Sequence, residues 1–197
     1  MSYHIYTTPA FIVSSFARGE ADRMYKIYTK DLGMIDVVAQ GVRKVNSKLC
    51  SHLQDFRLLE ISVVKGKEVW RATSAKESAV FVRTFENPLS RSAYSRILTL
   101  VARFIRGEEE HSDLFSNIES GFFAFEKTEN TEAEILAIEY ITVLRILNAL
   151  GYIKEGIGLE PYLVKDMEFN EITISSAIKD KRKIILEINR AINESHL

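Results

Sequence analysis

Three cations fall within six residues of one polar stretch, residues 41–48, and they are Arg43, Lys44 and Lys48. Side chains of this kind pair with successive phosphates of a nucleic acid and give affinity without sequence choice. Three further cations nearby in the sequence are predicted to contribute to the same surface: Arg18, Arg23 and Lys26. The competing interpretation is an ordinary solvated charged surface, because acidic residues are interspersed among these cations.

Two aromatic residues of the same region could add stacking surfaces for unpaired bases, as single-strand binders do. They are Tyr28 and Trp70. The alternative is that such rings fill the interior of a small β-domain. Because Tyr25 and Tyr28 point to opposite faces of a strand, at most one of them is expected in the core.

A hairpin is predicted to position the basic stretch. Strand-like runs at residues 23–29 and 34–40 flank Lys30-Asp31-Leu32-Gly33, where Asp and Gly favour a tight turn. Runs at residues 10–16, 55–65 and 68–75 complete five strands. We expect an α+β chain that begins with a five-stranded OB-type β-barrel, whose class binds single-stranded nucleic acid. Periodicity alone leaves an SH3-like barrel open.

An all-α domain is predicted after Pro88, where the apolar residues adopt helical spacing. Ser90 is predicted to cap the first helix and Ser112 to begin the second. Thr131 and Glu134 have the spacing of a capping box for the third, and a last helix is predicted from about Ser176. The resulting domains are 1–86, the barrel, and 87–197, the helical domain.

The formal net charge of −1 conceals an uneven distribution. Residues 1–88 hold 13 Lys and Arg against 9 Asp and Glu, a net charge of +4, whereas residues 89–197 hold 13 against 18, or −5. The N-terminal part is therefore the better candidate for contact with phosphate. In the first predicted helix, Arg96, Arg103 and Arg106 lie opposite the apolar face. They form either a solvated face or a docking site for an acidic peptide that ends in an apolar residue.

Patterns typical of enzymes and cofactor sites are absent from the sequence. The four histidines are scattered, and no glycine motif for nucleotide phosphates occurs. A single cysteine, Cys50, permits neither a disulfide nor a cysteine zinc site within one chain. No apolar run approaches the ~20 residues of a membrane span, and the first residues lack the layout of a signal peptide. We therefore expect a cytoplasmic protein that is not an enzyme, with no cofactor, no metal and no membrane partner.

A combined pattern of residues points to a known family. It comprises Gly19-Glu20-Ala21-Asp22-Arg23, Thr29, Leu32-Gly33, Ala39, Gly41, Arg43-Lys44, Ser47-Lys48-Leu49 and Leu53-Gln54-Asp55-Phe56. In order and spacing it resembles the N-terminal pattern of the bacterial RecO family. The segment at residues 147–152, which ends in Leu-Gly-Tyr, is similar to the end of that family's long central helix.

The resemblance implies a DNA repair and recombination mediator with an OB-fold DNA-binding domain before a helical domain. It implies binding to single- and double-stranded DNA and annealing of complementary strands. It also implies contact with the C-terminal tail of single-stranded DNA-binding protein and, together with RecR, loading of RecA onto coated single strands. Such a protein is expected in the cytoplasm, associated with the nucleoid, and the resemblance assigns phosphate contact above all to Arg43, Lys44 and Lys48.

The sequence departs from the family at one point. Many members carry a four-cysteine zinc site after the Leu-Gly-Tyr segment, whereas residues 152–197 contain no cysteine. We therefore expect a short member with a reduced C-terminal region and no zinc module. Two alternatives remain at this point: a protein-interaction adaptor of the same architecture without DNA binding, and an RNA-binding OB-fold protein.

Overall fold

A computed structural model describes residues 4–127, 131–154, 156–164 and 169–195. The chain divides into two compact units. The first comprises Met1–Phe81 and Ile105–His111, and the second comprises Val82–Phe104 and Ser112–Leu197. The sequence predicts two continuous domains, 1–86 and 87–197. That division remains a prediction.

Five strands of the first unit form a closed barrel. The strands are β1 (Ile5–Arg18), β2 (Asp22–Thr29), β3 (Gly33–Ala39), β4 (Arg57–Lys65) and β5 (Trp70–Val80). Around the barrel the order is β1-β2-β3-β5-β4, and β4 pairs in turn with β1. All strand pairs are antiparallel except β3 with β5, which is parallel. The α+β class with an OB-type barrel is therefore confirmed.

The barrel interior is filled by alternate residues of the strands, as the two-residue period of a strand requires. On β3, for example, Ile35 and Val37 lie in the core cluster while Asp36 between them is exposed. Burying each such aliphatic side chain stabilises the fold by about 1.5–3 kcal/mol. The aromatic members of the interior cluster are Tyr25 and Trp70.

The second unit is helical, and its longest helix, Glu132–Ala149, contacts five of the other helices. The capping box predicted for it is confirmed, since the Thr131 hydroxyl accepts from the Glu134 N–H and the Glu134 carboxylate accepts from the Thr131 N–H. No helix in the described ranges combines the length and apolar character needed to cross a membrane. The helices are α1 (Val82–Glu86), α2 (Pro88–Phe104), α3 (Ser112–Glu126), α4 (Glu132–Ala149), α5 (Glu160–Leu163), α6 (Glu171–Lys179) and α7 (Lys181–Glu194).

The start of α2 differs from the prediction that Ser90 caps it. The helix begins two residues earlier, and the Asn87 side-chain oxygen accepts from the N–H groups of Leu89 at 2.9 Å and Ser90 at 3.2 Å. Pro88 suits the first helical position because it has no N–H to satisfy. Ser90 itself is buried within the helix, so its prediction as the cap was wrong.

The last predicted helix is in fact two helices, α6 and α7, separated at Asp180. The first begins at Glu171, where the Asn170 side chain accepts from the Thr173 N–H at 2.9 Å. The buried residues are Thr173 and Ala177 in α6 and Ile184, Ile188 and Ala191 in α7. Ile178, near the end of α6, is 38% exposed.

A segment after α2, Ile105–His111, returns to the first unit and packs on the barrel. The Gly107 carbonyl accepts from the Met34 N–H at 3.1 Å, and the Tyr28 hydroxyl donates to the His111 carbonyl at 3.4 Å. Gly33 lies against the backbone of this segment and has a φ of +67°. A Cβ at Gly33 would stand 2.3 Å from the Glu109 carbonyl oxygen. The segment therefore needs a glycine at the start of β3 for both its backbone angle and its small size.

We expect Gly33→Ala to destabilise the protein more than Gly19→Ala. Both glycines have nearly the same φ, +67° and +64°, so both substitutions carry the left-handed penalty of about 1–2 kcal/mol. Only Gly33 has backbone atoms in the path of a Cβ, whereas nothing lies within 4 Å at Gly19. Urea unfolding followed by circular dichroism should show at least about 1 kcal/mol of additional loss for Gly33→Ala. Equal losses in the two variants would contradict the close approach of the segment.

Candidate nucleic-acid interface

A cleft of about 770 Å³ opens on the first unit between the β1–β2 and β4–β5 turns. Arg18 at the end of β1 and Asp22 at the start of β2 line it on one side. The β4–β5 turn lines it on the other side. Its full lining is Arg18, Asp22, Val38, Gln40, Lys65, Gly66, Lys67, Glu68, Val69 and Arg71.

The closure of the barrel brings these elements together. Val38 of β3 is in register with Arg71 of β5 in the parallel pair, and both line the cleft. The β4–β5 turn is short and is closed by a hydrogen bond from the Gly66 N–H to the Val69 carbonyl at 3.1 Å. In OB-type barrels the outer face of strands 2 and 3, flanked by the first and last interstrand turns, is the surface that binds oligonucleotides. The cleft lies on this surface.

The cleft carries more positive than negative side chains. Its cations are Arg18, Lys65, Lys67 and Arg71, and its carboxylates are Asp22 and Glu68. One carboxylate is already engaged, because Asp22 accepts from the Gly41 N–H at 2.8 Å. An open, cation-lined cleft with the apolar Val38 in its lining favours a polyanion that also carries flat apolar groups.

The basic stretch at residues 41–48 lies beside this cleft and is not part of its lining. Arg43 is held against the β1–β2 turn: its guanidinium donates to the Gly19 carbonyl and its N–H to the Ala21 carbonyl, both at 2.9 Å. Lys44 and Lys48 are exposed. Of the residues predicted to bind phosphate, the structure therefore places Arg18 in the cleft and attaches Arg43 to the adjoining turn.

Two other predicted cations have neighbours within the sheet. The Arg23 guanidinium donates through Nε to the Ser15 hydroxyl at 2.9 Å, on the facing strand β1. Lys26 stands opposite Asp36 in the register of β2 with β3. Neither residue lines the cleft, and the contact of Arg23 gives it a role in strand pairing.

The rings predicted to stack on bases are buried. Trp70 is 4% exposed, belongs to the barrel core and donates through Nε1 to the Glu108 carboxylate at 2.9 Å. Tyr28 has no exposed surface, and this burial raises the pKa of its hydroxyl. A buried ring presents no face to a base, so the stacking role predicted for Tyr28 and Trp70 does not fit this structure.

Of Tyr25 and Tyr28, of which at most one was expected in the core, only Tyr25 belongs to the core cluster of the barrel, yet Tyr28 is buried as well. The two side chains do point to opposite faces of β2, but both are buried, at 4% and 0% exposure. The outer face of the barrel is covered at Tyr28, as its buried partners in register, Phe11 and Met34, show. Strand alternation therefore predicts the direction of a side chain but not what covers the outer face.

Three cations of the cleft were not predicted from the sequence: Lys65, Lys67 and Arg71. Lys65 and Lys67 flank Gly66 in the β4–β5 turn, which is a recognised ligand-binding turn of OB barrels. Their position in this turn could have identified Lys65 and Lys67 as binding residues from the sequence. Nothing in the sequence identifies Arg71, because it becomes a cleft residue only through the pairing of β5 with β3.

The arginines predicted to attract an acidic peptide do not form one set. Arg96 donates through Nε and Nη2 to the carboxylate of Glu139 on α4, both at 2.6 Å, and this contact raises the pKa of Arg96. The Glu139 side chain is only 8% exposed, so Arg96 neutralises a buried charge within the second unit. Arg103 is exposed near the end of α2. Arg106 lies beyond that end, because α2 stops at Phe104.

Comparison with known proteins gives consistent matches. A family model described as "Recombination protein O N terminal" matches residues 1–81. The DNA repair protein RecO of Dehalococcoides mccartyi strain 195 is 31% identical over 150 residues, which cover 76% of this chain and 57% of the relative. The RecO of Alkaliphilus metalliredigens is 24% identical over 169 residues, covering 86% and 65%. That of Roseiflexus sp. strain RS-1 is 30% identical over 152 residues, covering 77% and 52%. The chain thus spans between half and two thirds of the length of these relatives.

We expect Arg96→Ala to lower the free energy of unfolding by about 2 kcal/mol, because it leaves the buried Glu139 carboxylate without its charged donor. Arg103→Ala removes an exposed cation from the same helix and should change it by less than about 0.5 kcal/mol. Arg96→Ala/Glu139→Ala should recover part of the loss, because it also removes the buried charge. Thermal and urea unfolding measure all three variants. A stable Arg96→Ala protein would show that Arg96 has no structural role.

Proposed function

The chain belongs to the RecO family, and from that premise we propose that it is a DNA repair protein which binds single-stranded DNA in the barrel cleft. The observation that carries the proposal is the set of cations on both sides of the cleft, with Arg18 on one and Lys67 on the other. These side chains are exposed and can contact successive phosphates of a strand. The cleft also lies on the face that OB barrels use for oligonucleotides.

The composition of the cleft favours backbone contact over recognition of sequence. Its cations face phosphates, and Val38 offers apolar contact. With Tyr28 and Trp70 buried, the exposed guanidinium plane of Arg18 offers a flat group for stacking on bases. Such contacts are the same for every base, so the proposed binding is independent of sequence.

The basic stretch at residues 41–48 extends the proposed path of the strand. Arg43 is fixed against the β1–β2 turn that also carries Arg18 and Asp22, so cations continue from the cleft past this turn. Lys44 and Lys48 are exposed beyond it. In this proposal the cleft holds one part of the strand, and Arg43, Lys44 and Lys48 hold the next.

The finer activities are proposed from family membership. They are binding to double-stranded DNA, annealing of complementary strands and, together with RecR, loading of RecA onto single strands coated with single-stranded DNA-binding protein. The role is one of binding and assembly without a catalytic step, in the cytoplasm at the nucleoid. For the acidic tail of single-stranded DNA-binding protein, Arg103 is the exposed arginine of α2 that stays a candidate contact, because Arg96 is paired with Glu139.

Salt-dependent binding to a fluorescent oligothymidylate tests the DNA proposal. We expect the wild type to bind with an affinity that falls steeply with salt. Arg18→Ala/Lys67→Ala should reduce the affinity and flatten the log–log salt slope by about 1.4, at about 0.7 for each phosphate contact. Arg43→Ala/Lys44→Ala/Lys48→Ala should flatten the slope by up to about 2.

A matched control removes two cations of the same unit that do not line the cleft, Lys30→Ala/Lys76→Ala. If this control loses as much affinity as the cleft variant, the effect is one of net charge and the cleft assignment fails. If the wild type does not bind even at low salt, the protein-interaction adaptor is favoured instead. A much tighter complex with oligouridylate of the same length favours the RNA-binding alternative, since only RNA offers 2′-hydroxyl groups.

A further inference from the structure

Glu108 lies outside the barrel strands, on the segment Ile105–His111, yet its carboxylate contacts Lys65, which lines the cleft, and Trp70 of the barrel core. One oxygen accepts from the Lys65 ammonium at 2.6 Å and the other from the Trp70 indole N–H at 2.9 Å. These two contacts lower the pKa of Glu108, because both stabilise its ionised carboxylate. A fixed negative charge thus stands beside a cleft that we propose holds DNA.

The ion pair between Glu108 and Lys65 is open to exchange. The Lys65 side chain is 62% exposed and that of Glu108 is 43% exposed. Pairs of this kind contribute little to stability, because water and salt screen them. A phosphate oxygen could therefore replace the carboxylate at Lys65 with little cost in protein stability. The indole contact differs, because Trp70 is a core residue that holds β5 in place.

On the basis of the proposed function, we infer that Glu108 competes with DNA phosphate for Lys65 and so sets the affinity of the cleft. With the carboxylate in place, Lys65 is neutralised, and the cleft binds one phosphate fewer than its cations would allow. Glu108→Gln removes the charge and still offers an amide oxygen to the Trp70 indole. The substitution thus separates the charge of Glu108 from its structural contact.

The test compares Glu108→Gln with Glu109→Gln in the same oligothymidylate assay. The two variants lose the same charge from adjacent residues of one segment, but the Glu109 carboxylate lies 3.9 Å from the His111 Nε2, whereas it is the Glu108 carboxylate that contacts Lys65. One additional phosphate contact multiplies the binding constant by about the molar salt concentration raised to the power −0.7. We therefore expect Glu108→Gln to bind about fivefold more tightly at 0.1 M salt, with a slope steeper by about 0.7. Glu109→Gln should keep the wild-type slope.

Lys65→Ala provides the second arm. In the Lys65→Ala background, Glu108→Gln should bring no gain, because the cation that it releases is absent. Equal slopes for Glu108→Gln and Glu109→Gln, with normal wild-type binding, would overturn the inference and leave the proposed function standing. Weaker binding by Glu108→Gln together with a lower melting temperature would also overturn it, since Glu108 would then act by holding the fold. Failure of every variant and of the wild type to bind would overturn the proposed function as well.

Discussion

The short parallel pairing of β3 with β5 is the contact on which the proposed site depends. In it, Val37 stands opposite Trp70 and Val38 opposite Arg71. The inward members, Val37 and Trp70, belong to the barrel core, and the next pair, Val38 and Arg71, line the cleft. The same two-residue ladder therefore closes the barrel and forms the cleft. Parallel strands cannot be joined by a tight turn, so this closure requires the long path of the chain through β4.

The net charge of the chain is a poor guide to its proposed function, because many cations serve the fold. Arg96 neutralises a buried carboxylate, and Arg57 pairs with Glu77 on the facing strand. Lys65 combines a structural contact with a place in the proposed site, since it is paired with Glu108 and also lines the cleft. What matters for a polyanion is the number of cations on one surface that remain exposed, and Arg18 and Lys67 meet that condition.

The sequence predicts the elements better than the site. Alternation and turn residues locate all five strands, and the residue types of the β2–β3 turn predict the hairpin that the structure contains. The capping box at Thr131 can be predicted from the sequence because its two side chains act within one turn of helix. Ser90 was misassigned because Asn87, three residues earlier, satisfies the same N–H groups.

The site depends on contacts between residues far apart in the chain, which periodicity does not report. Trp70 looks like a stacking residue in a list of aromatics, and only the barrel closure shows that it belongs to the core. Arg71 enters the cleft through the same closure. In the sequence, Glu108 belongs to an acidic run that is typical of a solvated surface. In the structure it contacts Lys65, which lies 43 residues earlier in the chain. Each of these assignments needs the tertiary pairing.

Nuclear magnetic resonance of the 15N-labelled protein, titrated with an unlabelled oligothymidylate, tests the central claim most directly. If the strand lies in the cleft, the largest amide shifts will fall at Val38, Gln40 and the β4–β5 turn at residues 66–69, and shifts will extend to residues 41–48. The amides of α2 and α3 will serve as internal references with small shifts. Shifts confined to residues outside the cleft and the basic stretch would contradict the account.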